Sequence, residues 1–273
     1  MFMIDFKRKT LRKAKILLKK ICLFFISMLW VNPSFAVELV QDMDVTIGLF
    51  DAAKVKLQYE EKENRFRIGA EVKTANFFDT LYPFIGEYAS EGEISVYKAK
   101  PYLYQTATTT RSHTRTKKIF YNEQGVAYKR VSTKDKKKNE TAINNVPPTA
   151  DAADLQSVFA ELIFRFQRKG DCQLQREIYD GKKHYKLIAE SKGQEQRFFQ
   201  WLNKKEKAEL CSVYIENLKD NNDNILWDVS ADKPIKLWLG RDEKTKMPFV
   251  MEIVIDSTPL GALKVTPTRL NIK

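Results

Sequence analysis

Apolar residues recur at every second position over long stretches of this chain. A pattern of that period can hide its greasy side chains only as strands with one wet face and one dry face. Val45, Ile47 and Leu49 alternate with polar or small residues. Val55, Leu57 and Tyr59 alternate with Lys54, Lys56 and Gln58, and Phe66, Ile68, Ala70 and Val72 with Arg65, Arg67, Gly69 and Glu71. Asp51 and Asn64 read as connections between these strands, which form an antiparallel meander. Strand patterns continue at 87–96, 102–110, 115–121 and 126–132, then at 174–179, 184–189, 197–202, 210–215, 235–239, 249–255 and 260–270. Asp180-Gly181 predicts a hairpin, and Pro259 and Pro267 suggest edge positions or strand ends.

Three segments break the alternation. Residues 76–84 (NFFDTLYPF) are aromatic and do not alternate, which predicts a short helical turn or a plug-like loop. Residues 134–148 carry Lys134, Lys136, Lys137 and Lys138, then Asn144-Asn145 and Pro147-Pro148, and read as an exposed basic, proline-containing loop. Between them and the later strands lies the one clear helix. Leu155, Val158, Phe159, Leu162, Ile163 and Phe166 fall at intervals of three and four, giving one apolar stripe. Asp151 and Asp154 suit its start, Arg165, Arg168 and Lys169 its end, and Gly170 its stop. Such a stripe needs an apolar cover, and a curved sheet is the available one.

The front of the chain reads as a secretory leader. Residues 1–36 hold eight basic residues and one acidic residue, then the apolar run Ile21 to Val31, then Asn32-Pro33 and the small-x-small pattern ending at Ala36. The run is shorter than the roughly 20 residues of a spanning helix. Cleavage after Ala36 and residence in the periplasm are expected, with a retained inner-membrane anchor as the alternative. Cys22 precedes the apolar run, so it does not mark a lipoprotein. Without the leader, the net charge of +12 falls to +5, from 39 basic and 34 acidic residues. The basic excess is thus mostly an export signal, and no nucleic-acid module accompanies it. Residues 37–273 then form a single β-rich domain.

Within that domain Cys172 and Cys211 are the two cysteines, and an oxidising compartment favours their pairing over two buried free thiols. His113 and His184 sit in separate strand-like segments with no cysteine or acidic cluster at ligand spacing, so no metal or other cofactor is indicated. No catalytic motif is recognisable, and Glu87, Glu91 and Glu93 read as a solvated strand face.

Four phrases in order resemble a bacterial family of exported proteins, the domain-of-unknown-function family numbered 3108. They are Leu81-Tyr82-Pro83-Phe84 leading to Ser90-Glu91-Gly92, the helix start Ala152-Ala153-Asp154-Leu155, the hairpin Tyr179-Asp180-Gly181-Lys182-Lys183-His184-Tyr185, and Ile235-Lys236-Leu237-Trp238-Leu239 followed by Asp242, Met247-Pro248 and Leu260-Gly261. The resemblance spans about residues 43–270 and implies an exported, β-rich single domain. It also implies cysteines flanking the Asp-Gly hairpin, as Cys172 and Cys211 do. The chain departs from the family in its basic 134–148 segment and in Leu155, where a capping proline is usual.

The expected fold is mainly β: a strongly curved antiparallel sheet or open barrel, similar to the lipoprotein carriers of the Lol pathway, with one main amphipathic helix on its concave side. The leading functional expectation is a non-enzymatic binding or carrier module for an apolar ligand such as a lipid acyl chain. Phe77, Phe78, Leu81, Tyr82 and Phe84 would line its mouth, and Phe159, Ile163 and Phe166 its interior. The competing expectations are an envelope structural or interaction protein with a solid core, and an undetected hydrolase built around His113 or His184.

Overall fold

The computed structural model describes residues 37–143, 152–181, 183–217 and 229–273. The leader and residues 144–148 of the basic segment lie outside these. Among the described residues, fifteen strands form one sheet: β1 (Val37–Ile47), β2 (Phe50–Lys62), β3 (Arg65–Thr74), β4 (Phe84–Ser95), β5 (Lys98–Thr110), β6 (Thr114–Tyr121), β7 (Ala127–Lys134), β8 (Lys137–Ala142), β9 (Ala152–Ala153), β10 (Leu174–Tyr179), β11 (His184–Phe199), β12 (Lys204–Asn217), β13 (Ile235–Arg241), β14 (Pro248–Thr258) and β15 (Gly261–Ile272). A short helix α1 (Asn76–Leu81) joins β3 to β4, and the long helix α2 (Leu155–Lys169) joins β9 to β10. The order across the sheet is β8-β7-β6-β5-β4-β3-β2-β1-β15-β14-β13-β12-β11-β10-β9. Neighbours are antiparallel throughout, except that β9 runs parallel to β10. The first and last strands of the chain thus lie side by side in mid-sheet.

The sheet curls around α2. The helix touches β3, β4 and β5 from one half of the sheet and β10 and β14 from the other. Only a sheet bent back on itself can present both halves to one helix. Asp154 caps the helix, its Oδ1 accepting from the Ser157 N–H at 2.9 Å, so the cap is made without the proline. Gly170, at φ 78°, ends it in the left-handed conformation that glycine adopts without strain. Burial exceeds the one stripe read from the sequence. Ser157, Ala160, Glu161 and Phe164 are buried with Val158, Leu162, Ile163 and Phe166, because the sheet encloses more than one face. Leu155 stays exposed at the first turn.

The sheet is open, yet its two ends are joined. Arg176 of β10 donates to the Ala99 carbonyl of β5 at 3.2 Å, and Glu161 of α2 accepts from the Ala99 N–H at 2.8 Å. Arg130 of β7 donates to the Gly181 carbonyl at 2.5 Å, and Lys117 of β6 donates to the Asp180 carbonyl. The seam is therefore made by side chains and not by a backbone ladder. Tyr104, Ile119, Tyr121, Ala127, Ala152 and Tyr179 form a small apolar cluster along it.

Several boundaries differ from the sequence reading. Gly48-Leu49 is the β1–β2 turn, so Leu49 leaves the alternation and Asp51 falls inside β2. The basic segment is not simply a loop: Asp135 and Lys136, both at positive φ, turn the chain into β8, whose side chains are all exposed. Its lysines blunt what is, among the described residues, an edge of the sheet. Pro267 lies well inside β15, a central strand, where the register slips between Asp42 and Met43. Pro101 likewise faces a register slip between Glu91 and Gly92. A bulge removes the ladder bond that a proline cannot make, which lets both sit away from an edge. The β10–β11 connection is a four-residue loop, closed by the Lys183 N–H on Asp180 Oδ1 at 2.7 Å.

The start of α2 holds a buried acid. Asp154 is fully buried and also accepts from Ser90 Oγ at 2.5 Å and Ser157 Oγ at 2.7 Å. Burial pushes its carboxyl above the usual value, against the pull of those hydrogen bonds. The folded state therefore holds this proton more tightly than the unfolded state. Its contribution is complete below the ordinary carboxylate range and is lost as pH rises through the raised value. In urea unfolding across the acid-to-neutral range, Asp154→Asn is expected to flatten the fall in midpoint relative to the parent. Parallel curves for the two proteins would refute this assignment.

Candidate functional site

The register brings five connections to one rim of the sheet. Ile47 pairs with Phe50, Lys73 with Ile85, Phe84 with Thr110, Lys134 with Lys137, and Thr258 with Gly261. The β1–β2 turn, α1, the β5–β6 turn, the β7–β8 turn and the β14–β15 turn therefore share this end. α1 packs on β2 and β3 and buries none of its residues fully. The Ala75 carbonyl accepts from the Phe78 N–H, and Thr74 Oγ1 accepts from the Phe84 N–H at 2.9 Å, which pins both ends of the turn.

The aromatic segment divides by side. Phe78 packs inward on a small cluster of Val45, Ala52, Ile255 and Leu263. Phe77 stacks on Phe50, with ring centroids 6.1 Å apart, and stays more than half exposed. Leu81 and Tyr82 are 59% and 63% exposed, and Phe84 is half-buried. Leu49, 98% exposed, and Leu260, 62% exposed, occupy two other turn tips of the same rim.

The helix residues grouped with them at the sequence level lie elsewhere. Ile163 and Phe166 are buried in the main core with Leu39, Tyr59, Ile68, Ile178, Leu239 and Val250. Phe159 packs half-buried against that core. The structure thus separates most of the two sets: Ile163 and Phe166 are interior, covered by the chain's own sheet, whereas Phe77, Leu81 and Tyr82 face outward and Phe78 turns in.

Beside α1 is a cavity of about 380 Å³ lined by Leu81, Tyr82, Pro83 and Phe84 and by Thr108, Thr110, Arg111, Ser112, His113 and Arg115. Arg111 is anchored there by donating to the Thr80 carbonyl at 2.7 Å. His113 Nδ1 lies 2.9 Å from Asp135 Oδ2, and the Thr114 N–H donates to Asp135 Oδ1 at 3.1 Å. The Thr114 N–H first, and then His113, hold the Asp135 carboxyl below its usual value. His113 lies in the β5–β6 turn, not in a strand. Sequence reasoning missed Arg111 and Arg115 because they reach Tyr82 only through the β4–β5 pairing, about thirty residues along. Leu49 was legible only as one more alternating residue.

A family model described as a protein of unknown function, DUF3108, matches residues 42–266, most of the described sheet. The chain belongs to the DUF3108 family. The solved structure of a β-barrel-like protein of domain of unknown function DUF1849, from Brucella abortus, is similar, with a TM-score of 0.54 and 10% identity. That likeness covers 87% of this chain and 98% of the other, and at such identity it establishes a shared fold alone. No curated protein matches this DUF3108 chain in sequence.

In this DUF3108 protein each histidine has a carboxylate. His184 Nε2 lies 2.9 Å from Glu177 Oε2, linking β11 to β10 as His113 links two neighbouring turns. The first is a cross-strand pair and the second a contact between turns. Among the described residues, no group of three or more histidine, cysteine, aspartate or glutamate side chains is placed to hold a metal ion. The expected pairing of Cys172 with Cys211 is present, with both residues fully buried.

Proposed function

We propose that this DUF3108 protein is an exported, non-enzymatic binding module of the cell envelope that meets an apolar partner at the α1 rim. The observation that carries this reading is the opposite fate of the two apolar sets. From Val158 to Phe166 the α2 stripe packs against the sheet's own side chains, whereas Leu49, Phe77, Leu81 and Tyr82 face water. Grouped exposed apolar side chains mark interaction surfaces more often than isolated ones do. An acyl chain carried inside would have to displace Ile163 and Phe166 from their packing. The leader pattern of residues 1–36 supports export, and a buried disulfide suits an oxidising compartment.

An environment-sensitive apolar dye, anilinonaphthalene sulfonate, is expected to bind the folded protein and to bind Phe77→Ser/Leu81→Ser at least about tenfold more weakly, given the apolar area removed. The unfolding midpoint should change little, because exposed positions contribute within about 0.5 kcal/mol each. Lipid extraction and mass spectrometry of the parent should recover no acyl lipid in equal amount to protein. Stoichiometric lipid that is retained equally by the double-serine variant, or dye binding indifferent to the two serines, would reject the rim as the working surface.

A further inference from the structure

We propose that the α1 rim docks on an anionic phospholipid bilayer, with its apolar tips entering the interface and a lipid phosphate held by Arg111, His113 and Arg115. This deepens, and rests on, the reading of the rim as the working surface. The apolar part comes from separate connections: Leu49 from the β1–β2 turn, Phe77 and Leu81 from α1, and Leu260 from the β14–β15 turn. The tips are single side chains on separate connections, not one continuous apolar face. A fluid hydrocarbon layer accepts them without needing a matching surface, and Tyr82 is of the type that settles at headgroup level.

Charge selects the kind of surface. The cavity beside the tips has one greasy wall, from Leu81, Tyr82 and Phe84, and one cationic wall, from Arg111 and Arg115 with His113. A phospholipid presents the same pairing, an apolar body next to a phosphate. Arg111 uses one donor on the Thr80 carbonyl, which fixes the guanidinium and leaves further N–H groups for an anion. Lys134 and Lys137 flank the next turn and Lys136 lies in it, within the same rim. Three acids of the rim keep their charge but are turned onto neighbouring donors: Asp51 accepts from Asn76 at 3.1 Å, Asp79 from Thr74 at 3.1 Å, and Asp135 from Thr114 and His113. Among the described residues, no carboxylate lines the cavity itself.

The test uses the chain from Val37 onward, as cleavage of the leader would leave it, and vesicles of phosphatidylcholine with or without phosphatidylglycerol. A Leu49→Trp variant reports insertion at this rim alone, through added quenching by brominated lipid relative to the parent. Quenching and co-sedimentation are expected with the anionic vesicles and are expected to weaken with salt. Arg111→Gln/Arg115→Gln should lower anionic binding by about tenfold or more, and binding to neutral vesicles much less. Inorganic phosphate that competes fully would assign the cavity to a free anion and overturn the docking proposal. Vesicle binding with no added quenching in the Leu49→Trp variant would place the contact elsewhere and overturn it as well. Dye binding that depends on Phe77 and Leu81 without any vesicle binding would leave the rim as an apolar surface but with a protein as its partner. Loss of both would remove the underlying reading too.

Discussion

Replacing Cys172 with serine, or reducing its bond to Cys211, is expected to cost about 4 kcal/mol of unfolding free energy in the chain-entropy account of a loop this long. The bond spans 39 residues, with Cα atoms 6.1 Å apart. Cys172 lies between α2 and β10, and Cys211 lies on β12, two strands away across the sheet. The crosslink thus fastens the exit of the helix to the sheet that encloses it. Both sulfurs are buried, so a free thiol or hydroxyl there also loses packing. Urea unfolding with and without reductant measures the effect as a shift in midpoint at constant slope. A shift worth less than about 1 kcal/mol would show that the reduced unfolded chain already keeps these segments together.

The second large effect concerns the ion pair at the seam. Arg176 Nε lies 3.4 Å from Glu161 Oε2, and both side chains are about 95% buried. The two groups converge on the backbone of Ala99, one on its carbonyl and one on its N–H. Burial pushes the Glu161 carboxyl up, while Arg176 pulls it back. Glu161→Ala or Arg176→Ala leaves one charge buried without its counterpart and is expected to destabilise by about 3–5 kcal/mol. The double replacement Glu161→Leu/Arg176→Met removes both charges and should cost clearly less than either single change. It should still cost something, because the Ala99 N–H loses its acceptor. A double-mutant cycle in urea reads the coupling directly. Additive losses would mean that the pair acts as two separate contacts.

Most of the architecture was written in the period of the apolar residues. Leu57, Tyr59, Phe66 and Ile68 are buried where alternation puts them, and α2 spans the striped segment with the cap and stop its ends suggest. What escaped was whatever depends on a neighbouring strand. Pro267 looks like a strand end until the slip opposite Met43 is known. Glu161 looks like a wet helix position until Arg176 arrives from β10, fifteen residues later. The rim shows the same division. Its aromatic segment stood out because it broke the alternation, but the cationic wall beside it is set by how β4 and β5 align. The separation of that segment from the α2 stripe follows from the curl of the whole sheet, which no local pattern encodes.

The side-chain seam has a further consequence. In a closed barrel the number of strands and their stagger fix the circumference, so adding or deleting a hairpin changes the bore. Here the fit around α2 is set by Arg176, Arg130 and Lys117 reaching across to carbonyls. Strands beyond that junction are an appendix to the enclosed core. The all-exposed β8 is one, and its length and charge are free to drift without resizing the space the helix fills.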